Sequence, residues 1–384
     1  MTETKFIPVC KPTLRGKELE YATEAIKSGW ISSAGKFILE FEKKFAAYCQ
    51  VKHGVSCSSG TAALHLAIKA LGIGQGDEVI VPTFSMAASY NAVVYAGAKP
   101  VFVDSELDTW NMDIDQVEKK ISGRTKAIMV MHTYGHPVDM DRLRLITDKF
   151  GLPIIEDAAE AHGAEYKGRK AGSLGDIACF SFFGNKILST GEGGMVVTNN
   201  DEWAERCRKL RNHFFGEPRF WHQEVGFNYR LTNVQAAIGL AQLEKIEEYV
   251  EARRRNAQLY NQLLQDVPGI ITPPEKEWAK NVYWMYGVLV EENQFGLSMP
   301  KLRDELGRRG IDTRTFFIGL HKQPMYRLDG SNVHDKEGKY PLAERLEKKG
   351  FYLPSSSHLT EEEIRFIVNA IKEIQLAIGK GKLA

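Results

Sequence analysis

Between residues 54 and 200 the chain alternates two textures, and this alternation restricts its fold more than any other feature. Short β-branched runs recur at EVIVPTF (78–84), KPVFVD (99–104), KAIMVMH (126–132), LPIIED (152–157), ACFSFF (178–183) and GMVVTN (194–199). Helical stretches such as GTAALHLAIKAL (60–71) and MDRLRLITDKF (140–150) lie among them. Strands alternating with helices predict an α/β sheet, mostly parallel, with helices on both faces. The runs are apolar almost throughout, as strands buried on both faces must be.

The pattern changes after Leu231. Asn233 to Leu264 reads as one long helix, opened by a capping box of Thr232 and Gln235. Val234, Ala237, Ile238 and Ala241 trace its buried stripe. A proline-rich break, VPGIITPPEKEW, follows. The remainder reads as a smaller α+β unit: a strand at VYWMYGVLV, a helix at PKLRDELGRRG, a strand at DTRTFF, and a last helix capped by Thr360 and Glu363. A chain of 384 residues is long enough for about two domains. We place them at 1–250, the larger α/β unit, and 251–384.

Charge and cysteine content exclude several classes of function. Fifty Lys and Arg face forty-nine Asp and Glu, a formal net charge of +1. Such a balance gives no global field for nucleic acid or an anionic membrane. No apolar run approaches the roughly 18 residues of a membrane helix, and MTETKFIPVC has no signal-peptide core. The five cysteines are widely spaced and form no C-x-x-C pair. Both observations predict a cytoplasmic protein without a disulfide framework.

In an open α/β sheet, chemistry gathers at the carboxyl ends of the strands. Asp157 ends one apolar strand, and Ser181 lies on another that leads to Lys186. Ser58-Ser59-Gly60-Thr61 opens a helix, where free amides and the helix dipole favour an anion. Each has a plainer reading: a solvated turn lysine, a helix-capping aspartate, an ordinary N-cap. Together they match what a phosphate-bearing aldehyde cofactor needs. A lysine bonds the aldehyde, a carboxylate keeps the pyridine nitrogen protonated, and a helix start holds the phosphate. Competing motifs fail. GAEYKGRK has the glycine spacing of a P-loop but ends in Arg-Lys where Lys-Ser/Thr is required. LGIGQGDEV precedes a strand, so it is no dinucleotide fingerprint. His132 and His136 have no evident third ligand, so no metal is expected.

These residues sit within longer motifs: SSGTAALHLA, GDEVIVP, AGAKPVFVD, IEDAAEAHGA, FSFFGNKILSTGEGG and GFNYRLTNVQAA. In this order, over nearly the whole chain, they resemble the nucleotide-sugar aminotransferases, the DegT–StrS group of pyridoxal 5'-phosphate (PLP) enzymes with the aspartate-aminotransferase fold (fold type I). SGWISSAGKFILEFE and GFNYR are most similar to the perosamine-synthase branch, which aminates C4 of GDP-4-keto-6-deoxymannose. The resemblance implies Lys186 as the Schiff-base lysine and Asp157 as the partner of the pyridine nitrogen. It puts Glu160 near the phenolic oxygen and Ser59, Gly60, Thr61 and Ser181 around the phosphate. Asn228 is implied to reach the cofactor of a neighbouring subunit, hence a homodimer with shared active sites. Met86 stands where an aromatic ring often stacks on the cofactor. L-glutamate is the implied amino donor. Lysine at 186, where related sugar 3-dehydratases carry histidine, favours transamination. Amination at C3, a dTDP- or UDP-linked sugar, and a non-catalytic PLP-binding regulator are the alternatives.

The residues also propose a substrate site. Trp30, Ser32, Ser33 and Lys36 share one loop, and an aromatic ring with hydroxyls suits a sugar nucleotide; the plainer reading packs Trp30 into the core. Arg314 suits a diphosphate and His321 the hexose, unless both are ordinary surface groups.

Overall fold

The computed structural model of the chain describes residues 6–325 and 339–381. Helices α1 (Glu18–Lys27) and α2 (Lys36–Tyr48) precede β1 (His53–Cys57) and α3 (Gly60–Ala70). Then come β2 (Glu78–Pro82), α4 (Ala87–Tyr95), β3 (Lys99–Val103), α5 (Ile114–Lys120), β4 (Thr125–Met131), α6 (Met140–Phe150) and β5 (Ile154–Asp157). Two short strands, β6 (Glu165–Tyr166) and β7 (Arg169–Lys170), lead to β8 (Ile177–Ser181) and β9 (Gly194–Thr198). Helices α7 (Asp201–Leu210), α8 (Asn233–Leu243) and α9 (Ile246–Leu264) follow. The C-terminal part holds β10 (Ile270–Ile271), β11 (Ala279–Lys280), β12 (Tyr286–Val290), α10 (Glu292–Phe295), α11 (Met299–Arg308), β13 (Arg314–Thr315), α12 (Pro341–Lys349), β14 (Gly350–Leu353) and α13 (Glu361–Gly379).

The apolar runs pair into a seven-stranded sheet of order β1-β9-β8-β5-β4-β2-β3. All its strands run parallel except β9, which is antiparallel to both β1 and β8. Every residue of β2, β5, β8 and β9 is buried, as their continuous apolar sequences require. The connection from Phe182 to Gly193 is a short return rather than a helix, so β9 comes back antiparallel. Its start, Gly194, therefore lies at the same edge as the ends of β5 and β8. Asp157, Ser181 and the loop carrying Lys186 meet along that edge.

A second sheet, β10-β12-β14-β13, is antiparallel throughout. It packs with α9, α11 and α13 around Tyr260, Tyr286, Phe351, Ile364 and Ile371. Both expected capping boxes are present, at Thr232–Gln235 and Thr360–Glu363.

Some expected element bounds need correction. The span 233–264 is two helices, broken at Glu244 and Lys245, the latter at φ −115° and ψ 4°. Helix α8 is buried against α1 and α2 through Ala236, Ala237, Leu240 and Ala241, while Val234 and Ile238 are only half-buried. Helix α9 places Tyr249 and Val250 in the core of the large sheet and Ala257, Tyr260 and Leu264 in the core of the small one. One straight rod does not serve both packings. The expected strand 312–317 is also shorter, only Arg314–Thr315, because it pairs with β14 at an edge.

Candidate active site

Helix α3 begins where β1 ends, so the turn at Ser58 and Ser59 folds the chain back onto the sheet. Ser59 is extended (φ −165°), and its Oγ accepts from the Ala62 N–H at 3.1 Å. The Gly60 and Thr61 amides find no protein acceptor among the described residues. They point from the positive end of an eleven-residue helix into a cavity of about 330 Å³. Small residues make this approach possible. A Cβ on Gly60 would lie 2.7 Å from the Ser181 Cβ, and one on Gly194 would lie 2.3 Å from the Ser59 carbonyl oxygen. Two free amides with the Ser59 and Ser181 hydroxyls beside them form a fitting cradle for a phosphate dianion. Gly194→Ala should push the α3 start away from β8. We expect a ten- to hundredfold loss of cofactor affinity, about the worth of one charge-assisted contact. An absorbance titration with circular dichroism as the folding control measures it.

Asp157 ends β5 and is 3% exposed. Its Oδ2 accepts from the Ser89 hydroxyl at 2.8 Å, and its Oδ1 accepts from the Ala159 N–H at 3.2 Å. Burial pushes its pKa up, against these bonds and the charge of Lys186. A buried carboxylate lining a cavity is stabilised by a cation, and a protonated pyridine nitrogen is such a partner. Glu160, 2% exposed, accepts from the Tyr134 N–H at 2.8 Å. Tyr134 reaches it only by adopting a left-handed backbone (φ 52°). Burial raises the Glu160 pKa, with Lys186 opposing the shift.

Lys186 follows β8 on the turn that precedes β9, its N–H donating to the Phe183 carbonyl at 2.9 Å. It borders the cavity, so it keeps some exposed area, yet protein surrounds it closely enough for desolvation to lower its pKa. Glu160 and Asp157 act in the opposite direction. Among the described residues no carboxylate forms an ion pair with it. Its Nζ lies 3.7 Å from the ring centroid of Trp284. Carboxyls drawn towards protonation and an amine drawn towards neutrality are the means of acid–base work near pH 7. The donor set fits the cofactor expected from the sequence.

The cavity brings together Ser59, Gly60, Thr61, Met86, Asp157, Glu160, Ser181 and Lys186. Met86 stands at its mouth, 53% exposed, with its Sδ accepting from the Ala88 N–H at 3.4 Å. Asn228 is exposed and does not line it. Trp30 and Lys36 line a separate cavity beside α1, where Lys36 pairs with Glu24. Trp30 is 61% exposed, so the core packing considered for it does not occur. Carbonyls of Trp30 and Ser32 accept from Asn233 at 2.6 Å, pinning the loop. Ser33 borders a third cavity with Lys209, Arg219 and Arg230. Arg314 lies outside the central cavity and is paired with Asp312. His321 is also outside; its Nδ1 meets the Thr83 hydroxyl at 2.7 Å and its ring packs on Tyr340. His132 and His136 use both ring nitrogens on protein partners: Glu156 and the Val138 N–H for the first, the Pro137 carbonyl and the Lys276 N–H for the second.

Sequence reasoning passed over Ser89, Tyr134, Trp284 and Tyr352. Ser89 could have been found as a hydroxyl one helical turn into the helix after β2. The others reach the site only through the packing of distant segments.

The DegT/DnrJ/EryC1/StrS aminotransferase family model matches residues 12–372. GDP-perosamine synthase of Escherichia coli O157:H7 is 44% identical over 370 residues, covering 96% of this chain and 98% of that protein. Among solved structures, DesV of S. venezuelae superposes with a TM-score of 0.89 at 37% identity, over 97% of this chain and 99% of that one. A putative sugar aminotransferase of Streptococcus pneumoniae, solved in its PLP form, gives a TM-score of 0.89 at 27% identity, over 97% and 100% of the two chains. With an α3 cradle, a buried carboxylate and a lysine at one sheet edge, the chain belongs to the DegT/DnrJ/EryC1/StrS aminotransferase family.

Proposed function

We propose that this PLP-dependent aminotransferase converts a GDP-linked 4-keto-6-deoxyhexose to the 4-amino-4,6-dideoxy sugar, with L-glutamate as donor. The observation that carries the reading is the meeting of Lys186, Asp157 and the α3 start in one cavity. The likeness to GDP-perosamine synthase supports the choice of substrate. When bound, the cofactor supplies an aldehyde that takes up and releases the amino group and a ring that withdraws electrons from the bond losing its proton. The chain does the rest. The Gly60 and Thr61 amides and the Ser59 and Ser181 hydroxyls hold the phosphate. Asp157 would keep a proton on the ring nitrogen, and Glu160 would serve the phenolic oxygen. Lys186 Nζ, made a weaker base by burial, would move the proton between the substrate carbon and the cofactor carbon on the other side of the transferred nitrogen, one way in the first half-reaction and back in the second. Met86 covers part of the mouth as an apolar thioether.

Charge supports a shared site. Among the described residues lining the cavity, Lys186 is the one cation, against Asp157, Glu160 and Glu192. Cofactor phosphate, sugar diphosphate and glutamate are all anions. We assign the missing cations to a second copy of the chain. Asn228 lies next to the Asn212 bridge, by a cavity of about 970 Å³ lined by Lys209, Arg219 and Arg230. A symmetric pair can bring this face to the partner's cofactor. We keep Arg314 and His321, outside the cavity here and engaged by Asp312 and Thr83, as candidate sugar-nucleotide contacts. The described helices include none long and apolar enough to cross a membrane, and no cysteine is in a disulfide; we place the enzyme in the cytoplasm.

Two experiments test these statements. Mixed dimers of Lys186→Ala and Asn228→Ala chains should recover activity through one intact site, up to about a quarter of wild type for random pairing with symmetric C2 geometry. No recovery in mixed dimers shown to form would contradict the shared site. Steady-state comparison of GDP-, dTDP- and UDP-linked 4-keto sugars should give the highest kcat/KM for GDP. A higher value for another nucleotide overturns that assignment.

A further inference from the structure

Trp284 is 98 positions from Lys186 in sequence, yet the two side chains are in contact. Its indole is 3% exposed and faces the lysine Nζ at 3.7 Å from the ring centroid. The same ring donates its Nε1–H to the Asn185 carbonyl at 2.8 Å, the peptide from which Lys186 starts. That carbonyl also accepts from the Cys10 thiol at 3.3 Å. The tryptophan is itself held from several sides. Its carbonyl accepts from Arg253, a 3% exposed guanidinium, at 2.6 Å. Tyr134 stacks on it at 6.2 Å. Tyr283, just before it, is left-handed (φ 47°), with its N–H donating to Asn281 Oδ1 at 2.9 Å. The Gly135 turn presses on the same stretch, since a Cβ there would come within 3.1 Å of the Trp284 nitrogen. The left-handed backbones of Tyr134 and Tyr283 fix where the indole points.

We infer that Trp284 is a positioning residue for Lys186: its ring face receives the ammonium whenever the lysine is not bonded to the cofactor, and its N–H fixes the peptide beneath that lysine. An indole is the best aromatic partner for a buried cation, and here no carboxylate pairs with the lysine. The inference rests on Lys186 as the cofactor-bearing lysine. It gives the amine a fixed resting place between the two half-reactions, on the wall of the cavity, and opposes the loss of basicity caused by burial. Other groups facing the lysine are Glu160 beside the Tyr134 turn, Asp157 on β5, Cys10 on the N-terminal segment and His162 below β8. All of them are present in the Trp284 variants, so the comparison of Trp284→Phe with Trp284→Leu reads the ring.

The test follows cofactor capture by the apoenzyme, prepared from holoenzyme by removal of PLP. Neutral Lys186 nitrogen attacks the aldehyde carbon, a C=N bond forms and water leaves, so the rate follows deprotonation of the amine. Visible absorbance records it from pH 6 to 10 or so for wild type, Trp284→Phe and Trp284→Leu. Removing a cation's ring partner favours the neutral amine. The midpoint should therefore fall by about half to one and a half pH units in Trp284→Leu, with Trp284→Phe between the two. Glutamate KM should change less than kcat, because the ring removed acts on Lys186 and its peptide. Unchanged midpoints in both folded variants overturn the inference, as does a fall in Trp284→Phe equal to that in Trp284→Leu. If Trp284→Leu does not fold, Trp284→Phe decides alone. Failure of wild type to capture PLP covalently would refute the lysine assignment, a separate outcome.

Discussion

Lys186→Ala abolishes covalent cofactor capture and lowers turnover by about ten-thousand-fold or more. In the proposed function the lysine serves twice, as the nucleophile that holds the aldehyde and as the base that moves the proton. General acid–base catalysis alone contributes roughly 10²- to 10⁴-fold, and loss of the nucleophile adds to it. The fold should tolerate the change, because the side chain borders an open cavity and makes no ion pair among the described residues. Borohydride reduction followed by mass spectrometry reads the result. Wild type retains the cofactor mass on the peptide containing Lys186, and the variant retains none. Cofactor fixed to another lysine at wild-type turnover would contradict the assignment.

Asp157→Asn keeps PLP bound and lowers turnover by about a hundred- to a few thousandfold. The two side chains have the same shape, but asparagine keeps one accepting oxygen: with it on the Ala159 N–H, the amide NH2 donates to the Ser89 hydroxyl, which turns to accept. What disappears is the negative charge that we propose pairs with the ring nitrogen. Breaking a buried ion pair by removing one partner costs about 3–5 kcal/mol, which sets that range. The carboxylate is costly where it stands, since burial raises its pKa. Such a cost is retained where a cation offsets it. Single-turnover kinetics with glutamate measures the effect. A rate within about tenfold of wild type would mean that Asp157 only ties Ser89 and Ala159 into the edge of the sheet.

Much of this was legible before the structure because its causes are local. An apolar β-branched run flanked by polar turns becomes a buried strand, and the residue at its end is placed at the sheet edge. Asp157, Ser181 and the Ser59–Thr61 turn were readable for that reason. Lys186 was readable because a charge among apolar residues demands an explanation. The antiparallel return of β9 was not, since GMVVTN has the same texture as its parallel neighbours and direction depends on the connection. The break at Lys245 was hidden by unbroken helical periodicity from α8 into α9. Trp284 carried no signal either: in VYWMYGVLV it reads as one more core aromatic, and only the Gly135 and Tyr283 turns aim it at the lysine. Arg314 and His321 were chosen by chemistry that suits a sugar diphosphate. In the folded chain Asp312 and Thr83 already engage them.

The most direct test supplies the enzyme with ¹⁵N-labelled L-glutamate and GDP-4-keto-6-deoxymannose and follows the sugar nucleotide by mass and NMR. The account predicts one labelled nitrogen bonded to C4 of the hexose, with 2-oxoglutarate formed in equal amount, and none of either with Lys186→Ala. Nitrogen at C3, unlabelled product, or equal conversion by Lys186→Ala would contradict it.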